Sequence, residues 1–221
     1  MKNIILQHYT GTLGRIEKLS MANIKTYADM IGVEYRFLDG NVWNENYRAA
    51  FQKLYMLDEE FDSYDEVLML DIDMFVTRNN YKNVFKEESG IGLHMEIEKG
   101  LRNRIANLYP DIASNNHPYW SGAFYKMNLN LRKTFRECLN DNMKWIDVYK
   151  QKKFYGDEGV MHGLAKMTNL SEEGAYIDRD WCFGSYFSGI EDAKIVHLRP
   201  KPTGSKNKNY DDLHMRGIIK S

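Results

Sequence analysis

The sequence predicts an α/β fold, a mixed central sheet flanked by helices, in a single domain over residues 1–221. Three observations carry this expectation. Residues 66–76 are apolar without alternation until Asp71 and Asp73 interrupt them, and such strands belong to sheets covered on both faces. The first 76 residues read strand, helix, strand, helix, strand. Hydrophobic residues make up 43% and charged residues 28%, which excludes a disordered chain. A chain of this size buries roughly 70% of its unfolded surface and needs no disulfide or metal to fold.

The elements follow in order. Ile4, Ile5 and Leu6 form a short buried strand. Thr12 stands where it caps a helix over residues 13–31, with Ile16, Leu19, Ile24, Tyr27 and Ile31 near helical spacing and Gly32 as the stop. Residues 33–38 read as a second strand closed by Asp39-Gly40. Tyr47, Ala50, Phe51, Leu54, Leu57 and Phe61 mark a second amphipathic helix. Strand 66–76 completes a βαβαβ half. Beyond it, residues 90–95 and 122–127 read as strands. Leu131, Phe135, Cys138, Leu139, Asn142, Ile146 and Tyr149 share one helical face. Residues 156–167 read as a helix and 193–198 as a last strand. Residues 199–209 are polar and loop-like. No repeat, low-complexity block or linker divides the chain.

Composition narrows the function. Thirty basic against 31 acidic residues give a net charge of −1, which argues against a protein that grips nucleic acid. Cys138 and Cys182 make no disulfide framework and no zinc pair, and Cys138 on its apolar stripe reads as a buried free thiol. The N-terminal apolar run is too short for a signal peptide, and no segment approaches a membrane span. A soluble, cytoplasmic protein is expected.

Asp71-Ile72-Asp73 is the most informative feature. Residues i and i+2 of a strand share a face, so both carboxylates are expected to point the same way. Two like charges in an apolar run need neutralising, and a hard divalent cation does this through oxygen ligands. The carboxyl end of a strand in an open α/β sheet is where ligands bind. A metal holding an anionic substrate, most naturally a diphosphate, follows. Simple strand termination does not explain charges in mid-run.

Residues 64–76 resemble the Asp-x-Asp segment of GT-A glycosyltransferases, in which a Rossmann-like sheet presents Mn²⁺ or Mg²⁺ to the diphosphate of a nucleotide sugar. Residues 51–57, with Lys53, resemble the helix before that strand. Tyr119-Trp120-Ser121-Gly122 resembles the family's Ser-Gly turn near donor sugar and acceptor. Residues 155–160 resemble its acidic segment facing the sugar. Residues 194–202 resemble its closing strand, with a metal-binding His and a basic loop over the phosphates. The set spans residues 1–206 in the family's order. Two departures stand out: Asp157-Glu158 replaces the Asp-Gln of several families, and Arg-Pro-Lys-Pro replaces the Gly-rich stretch after the His. A narrower resemblance is to the small chlorella-virus glycosyltransferases that act on capsid protein.

The resemblance implies a metal-dependent hexosyl- or deoxyhexosyltransferase. Residues 1–76 would bind the nucleotide, and 77–221 the sugar and acceptor. Asp71, Asp73 and His197 would hold the metal. Gln7, His8, Tyr9, Thr10, Lys53, Asp71, Ser121, Gly122, Lys201 and Lys206 would bind a UDP-sugar. Asp157 and Glu158 would act on the sugar or on the hydroxyl of a glycan or glycoprotein acceptor, on a viral capsid glycan if the narrower likeness holds. Trp120 and Trp181 are candidates to stack on a sugar.

Two other readings compete. A phosphatase or phosphotransferase of the haloacid-dehalogenase type also places Asp-x-Asp after an apolar strand, with Asp71 as nucleophile beside Mg²⁺. Against it, two βα units precede the motif and Phe75 stands where Thr or Val is usual. A non-catalytic sugar or nucleotide module is the other, and it has no need of Asp71, Asp73, Asp157 and His197 together.

Overall fold

Ile4 and Leu6 point to one side of the first strand and Ile5 to the other, and all three are fully buried. That pattern sets the architecture of the computed structural model, which describes residues 1–87, 95–96, 119–141, 156–170 and 177–220. The strands are β1 (Asn3–Tyr9), β2 (Glu34–Asp39), β3 (Glu66–Asp71), β4 (Met74–Val76), β5 (Met95–Glu96), β6 (Tyr119–Trp120), β7 (Phe124–Asn128), β8 (Phe183–Gly184) and β9 (Ile195–His197). The α-helices are α1 (Arg15–Ile31), α2 (Leu129–Asp141), α3 (Gly156–Met167) and α4 (Lys206–Met215).

The main sheet has the order β2-β1-β3-β7. The first three strands are parallel and β7 is antiparallel to β3. Ile4, Leu6, Val67, Met69, Tyr125 and Met127 face a core built with α2 and α3. Ile5, Leu68, Leu70 and Phe124 face a second core with Ile24, Tyr27 and Ala28 of α1. Central strands covered on both faces have no polar side, which accounts for their unbroken apolar runs. Edge strand β2 carries the exposed or half-buried Glu34 and Arg36. A second sheet, β4-β9-β8, packs with Tyr210 and Leu213 of α4 around Phe75 and Val196.

Five expectations need correction. Helix α1 begins at Arg15 behind Gly14, with no side chain capping it, so Thr12 is not its cap. Its end is as expected, with Gly32 left-handed at φ 72° and the Val33 amide closing on Ala28. The second helix is 3₁₀, Ala49–Leu57 and Glu59–Phe61, broken at the extended Asp58. Six of its first nine residues are buried, so it threads through the core rather than lying on it, and the tighter form suits so enclosed a path. Strand 66–76 is two strands in different sheets, turned at Ile72-Asp73. The polar tail becomes helical at Lys206, anchored by Tyr210 and Leu213. Cys138 is only half-buried, though free of disulfide, while Cys182 is buried. Most of the predicted strand 90–95 and the helical face at Asn142, Ile146 and Tyr149 lie outside the described residues. Among the described residues no helix is long and apolar enough to cross a membrane.

Candidate active site

The parallel strands β1 and β3 end side by side, with His8 in register with Asp71. At that end the chain leaves the main sheet through Ile72-Asp73 and enters β4, which pairs with β9 so that Met74 faces His197. The Leu198 amide closes the junction on the Asp73 carbonyl at 3.0 Å. The turn and the second sheet therefore bring together residues 126 positions apart by number, Asp71 and His197.

One ligand atom from each of Asp71, Asp73 and His197 lies within 4.8 Å of the others. His197 Nε2 is 3.2 Å from Asp73 Oδ1 and 3.8 Å from Asp71 Oδ2. Asp73 and His197 are buried and Asp71 is half-buried. Convergence comes from the turn, not from a shared strand face as the i, i+2 argument supposed. Burial pushes the Asp73 carboxyl upward, but His197 and Lys206 outweigh it and hold it well below the usual carboxylate range. The Lys206 ammonium pairs directly with Asp73 Oδ2. A buried carboxylate that attracts this cation, beside a second carboxylate and an imidazole, is a donor set that fits Mn²⁺ or Mg²⁺.

Lys53 is the electrostatic hub. Its ammonium donates to Asp71 Oδ1 at 2.8 Å and the Gly122 carbonyl at 2.6 Å, and pairs with Asp157 Oδ2 at 2.8 Å. Burial pulls this ammonium down, and the carboxylates of Asp157 and Asp71 outweigh it, leaving it well above the ordinary lysine value. Asp157 and Glu158 open α3, where carboxylates meet the positive end of the helix. Asp157 Oδ2 also accepts from the Tyr125 hydroxyl at 3.1 Å, and Glu158 Oε1 accepts from the Gly122 amide at 2.6 Å. The Asp71 amide donates to the Ala123 carbonyl at 2.9 Å, so the Ser121-Gly122 turn is locked against both the strand end and the helix start.

Most of the sequence-predicted residues meet here. His8, Tyr9, Thr10, Lys53, Asp71, Asp73 and Lys206 line one cavity of about 310 Å³. His8 Nε2 lies 2.7 Å from the Gly40 carbonyl, and burial lowers its pKa below the ordinary histidine value. His197, Ser121, Gly122, Asp157 and Glu158 are outside the cavity's lining, as are Gln7 and Lys201. Gln7 is fully buried below the site: its amide nitrogen donates to Ser20 Oγ and the Asp71 carbonyl, each at 3.0 Å, and its oxygen accepts from Tyr35. Both of its N–H groups are engaged, so it supports Asp71 rather than contacting a ligand. Lys201 does not line the cavity, and its ammonium lies 5.9 Å from the Tyr186 ring. Trp181 is fully buried in the core and stacks on nothing from outside, and the Trp120 side chain lies outside the described residues.

Sequence reasoning missed Tyr125 and Ser20. Tyr125 alternates with Phe124 along β7, and only its partner Asp157 gives the hydroxyl a purpose. Ser20 sits on the buried stripe of α1, where a hydroxyl among Ile16, Ile24 and Tyr27 was the available signal.

No protein-family model matches the sequence, and no match is found among curated proteins. Solved structures do match. A glycosyltransferase involved in glycosylation of the major capsid of PBCV-1 aligns over 97% of this chain and 100% of its own, at 13% identity and TM-score 0.58. The galactosyltransferase LgtC, in complex with donor and acceptor sugar analogs, aligns over 99% and 96%, at 13% identity and TM-score 0.57. Mouse xyloside xylosyltransferase 1 aligns over 89% and 97%, at 11% identity and TM-score 0.52. The chain has the GT-A fold. These likenesses agree with the expected fold and do not support the haloacid-dehalogenase alternative. Asp71 ends the third strand of a GT-A sheet, with one oxygen held by Lys53 and the other turned toward His197.

Proposed function

We propose that the protein is a metal-dependent glycosyltransferase that moves a sugar from a nucleoside diphosphate donor, a UDP-sugar, to the hydroxyl of a glycan or glycoprotein acceptor. The convergence of Asp71, Asp73 and His197 at the carboxyl ends of the parallel strands carries this reading. These three residues would hold Mn²⁺ or Mg²⁺, and the bound ion would neutralise charge on the departing diphosphate. His8, Tyr9 and Thr10 would line the nucleotide side of the cavity. Lys206 would add positive charge to the phosphate side, exchanging its contact with Asp73 for one with the diphosphate. Ser121, Gly122, Asp157 and Glu158 would face the sugar and the acceptor hydroxyl. Lys53, paired with both, would hold Asp71 and Asp157 fixed in relation to each other.

The test is thermal unfolding with UDP, with and without Mn²⁺. A ligand at 100 times its dissociation constant adds about 2.7 kcal/mol of stability. Stabilisation that needs both components and disappears in Asp73→Asn is expected, followed by metal-dependent hydrolysis of a UDP-sugar. If neither UDP, GDP nor any other nucleotide with metal shifts the transition, the nucleotide-sugar reading is wrong.

A further inference from the structure

Helix α4 serves two sides of the molecule. Lys206 in its first turn reaches Asp73, while Asn209, Asp212, Leu213 and Arg216 border a cleft of about 560 Å³. Tyr186, Phe187 and Glu191 also line it, with Pro202 and Thr203. Its size suits a small ligand. It shares no lining residue with the cavity at Asp71.

Its walls differ in chemistry. One is aromatic: the Tyr186 and Phe187 rings lie 4.2 Å apart by centroid. A Cβ on Gly184 would come 3.0 Å from an atom of each ring, so a larger residue in β8 would need the pair to give by a few tenths of an ångström. The Arg179 guanidinium lies 4.9 Å from the Phe187 ring and 4.6 Å from that of Phe183, bracing the pair. The other wall is polar. Arg216 donates to Asp212 Oδ2 at 3.2 Å and also to Glu191 Oε1. The buried Asn209 amide donates to the carbonyls of Arg199 and Lys201, each at 2.6 Å, and its oxygen accepts from Thr203 at 2.8 Å. Two lining carboxylates outnumber the lining guanidinium, which disfavours a phosphate. The buried Asn209 only fixes this edge of the cleft, while the exposed carboxylates of Asp212 and Glu191 offer acceptor oxygens beside the aromatic pair, which matches a sugar ring with its C–H face on the rings and its hydroxyls on the carboxylates.

We propose that this cleft is a second carbohydrate-binding site, taking a neutral oligosaccharide apart from the donor cavity. That the oligosaccharide is a remote part of the acceptor rests on the transferase reading, whereas the binding of sugar does not. Saturation-transfer NMR of the full chain with cellotriose, xylotriose and mannotriose, without nucleotide or metal, tests it. Transfer to the ring C–H protons of at least one trisaccharide is expected, unchanged in Asp73→Asn. Tyr186→Ser should weaken it roughly tenfold, the size of one lost aromatic contact. Asp212→Asn, which alters no apolar packing, should weaken it in the same direction. Both variants should keep the melting shift given by UDP and Mn²⁺, which shows that they are folded. Absence of transfer from all three sugars, or transfer that neither variant changes, overturns the proposal. Transfer that persists while UDP and Mn²⁺ give no shift in the unaltered chain removes the transferase reading and leaves the cleft assigned.

Discussion

All three N–H bonds of the Lys53 ammonium point at protein acceptors, and two of those acceptors are carboxylates. Removing the cation leaves Asp157 buried with its charge uncompensated. Lys53→Met should therefore cost about 3–5 kcal/mol in urea unfolding near neutral pH. The pH dependence has a defined sign. The folded-state pKa lies above the ordinary lysine value of 10.5, so this stabilisation is complete below pH 10.5 and declines as pH rises beyond it. The unaltered chain should lose stability above that point more steeply than Lys53→Met. Equal slopes would remove Lys53 from the charge balance. Gly122 illustrates a steric limit. A Cβ there would lie 2.6 Å from Asp157 Oδ2 and 2.9 Å from the Tyr125 hydroxyl. Gly122→Ala should displace the α3 acids and cost about 1–3 kcal/mol, with a larger loss of UDP-sugar hydrolysis than of UDP binding. Equal losses would place the turn on the nucleotide side instead.

At the scale of elements, β4 is a three-residue strand with β9 on one side and α1 on the other. Ser20 Oγ donates to the Met74 carbonyl at 2.6 Å, and the Asn23 amide exchanges two hydrogen bonds with Val76, at 2.7 and 3.2 Å. Helix side chains thus stand in for a missing neighbouring strand, and Ser20 also accepts from Gln7 beneath Asp71. Ser20→Ala should destabilise by about 1–3 kcal/mol through the orphaned groups. It should also weaken Mn²⁺ binding with UDP, measured by calorimetry, because it frees the strand that follows Asp73. Unchanged metal affinity would confine Ser20 to stability. These facts mark how far the sequence was legible. The apolar runs of β1 and β3, the Gly32 stop and α3 were readable because local periodicity and burial agree there. The break at Ile72-Asp73 was not, since both pieces are equally apolar and only their pairing partners differ. Nor was the start of α4, because Lys206-Asn207-Lys208-Asn209 is polar and its apolar anchors come later. Of the site, the ion-ligand candidates and the carboxylates of α3 were visible as residue types. The support beneath them was not, because a buried Gln or Ser signals nothing until its partners are known.

At the scale of the whole molecule, the four-stranded and three-stranded sheets meet at one turn, and the ligand candidates come from both sides of it. Asp71 ends a strand of the four-stranded sheet, His197 ends a strand of the three-stranded one, and Asp73 lies in the turn. Anything that bridges these side chains restrains the sheets against each other. Lys206 adds a third attachment, because its contact with Asp73 holds the first turn of α4 to the same point. Binding should therefore alter local opening on both sides of the junction. Hydrogen exchange with and without UDP and Mn²⁺ measures this. The amide of Leu198, bonded to the Asp73 carbonyl, and that of Asp71, bonded to the Ala123 carbonyl, should both slow. Val33, whose amide closes the far end of α1 on Ala28, should slow only as much as global stability rises. In Asp73→Asn the extra protection should vanish at both junction amides together. Protection confined to Asp71 would mean that the ligand rests on the main sheet alone. His197 would then be a packed rim residue, and the metal assignment would reduce to the two carboxylates.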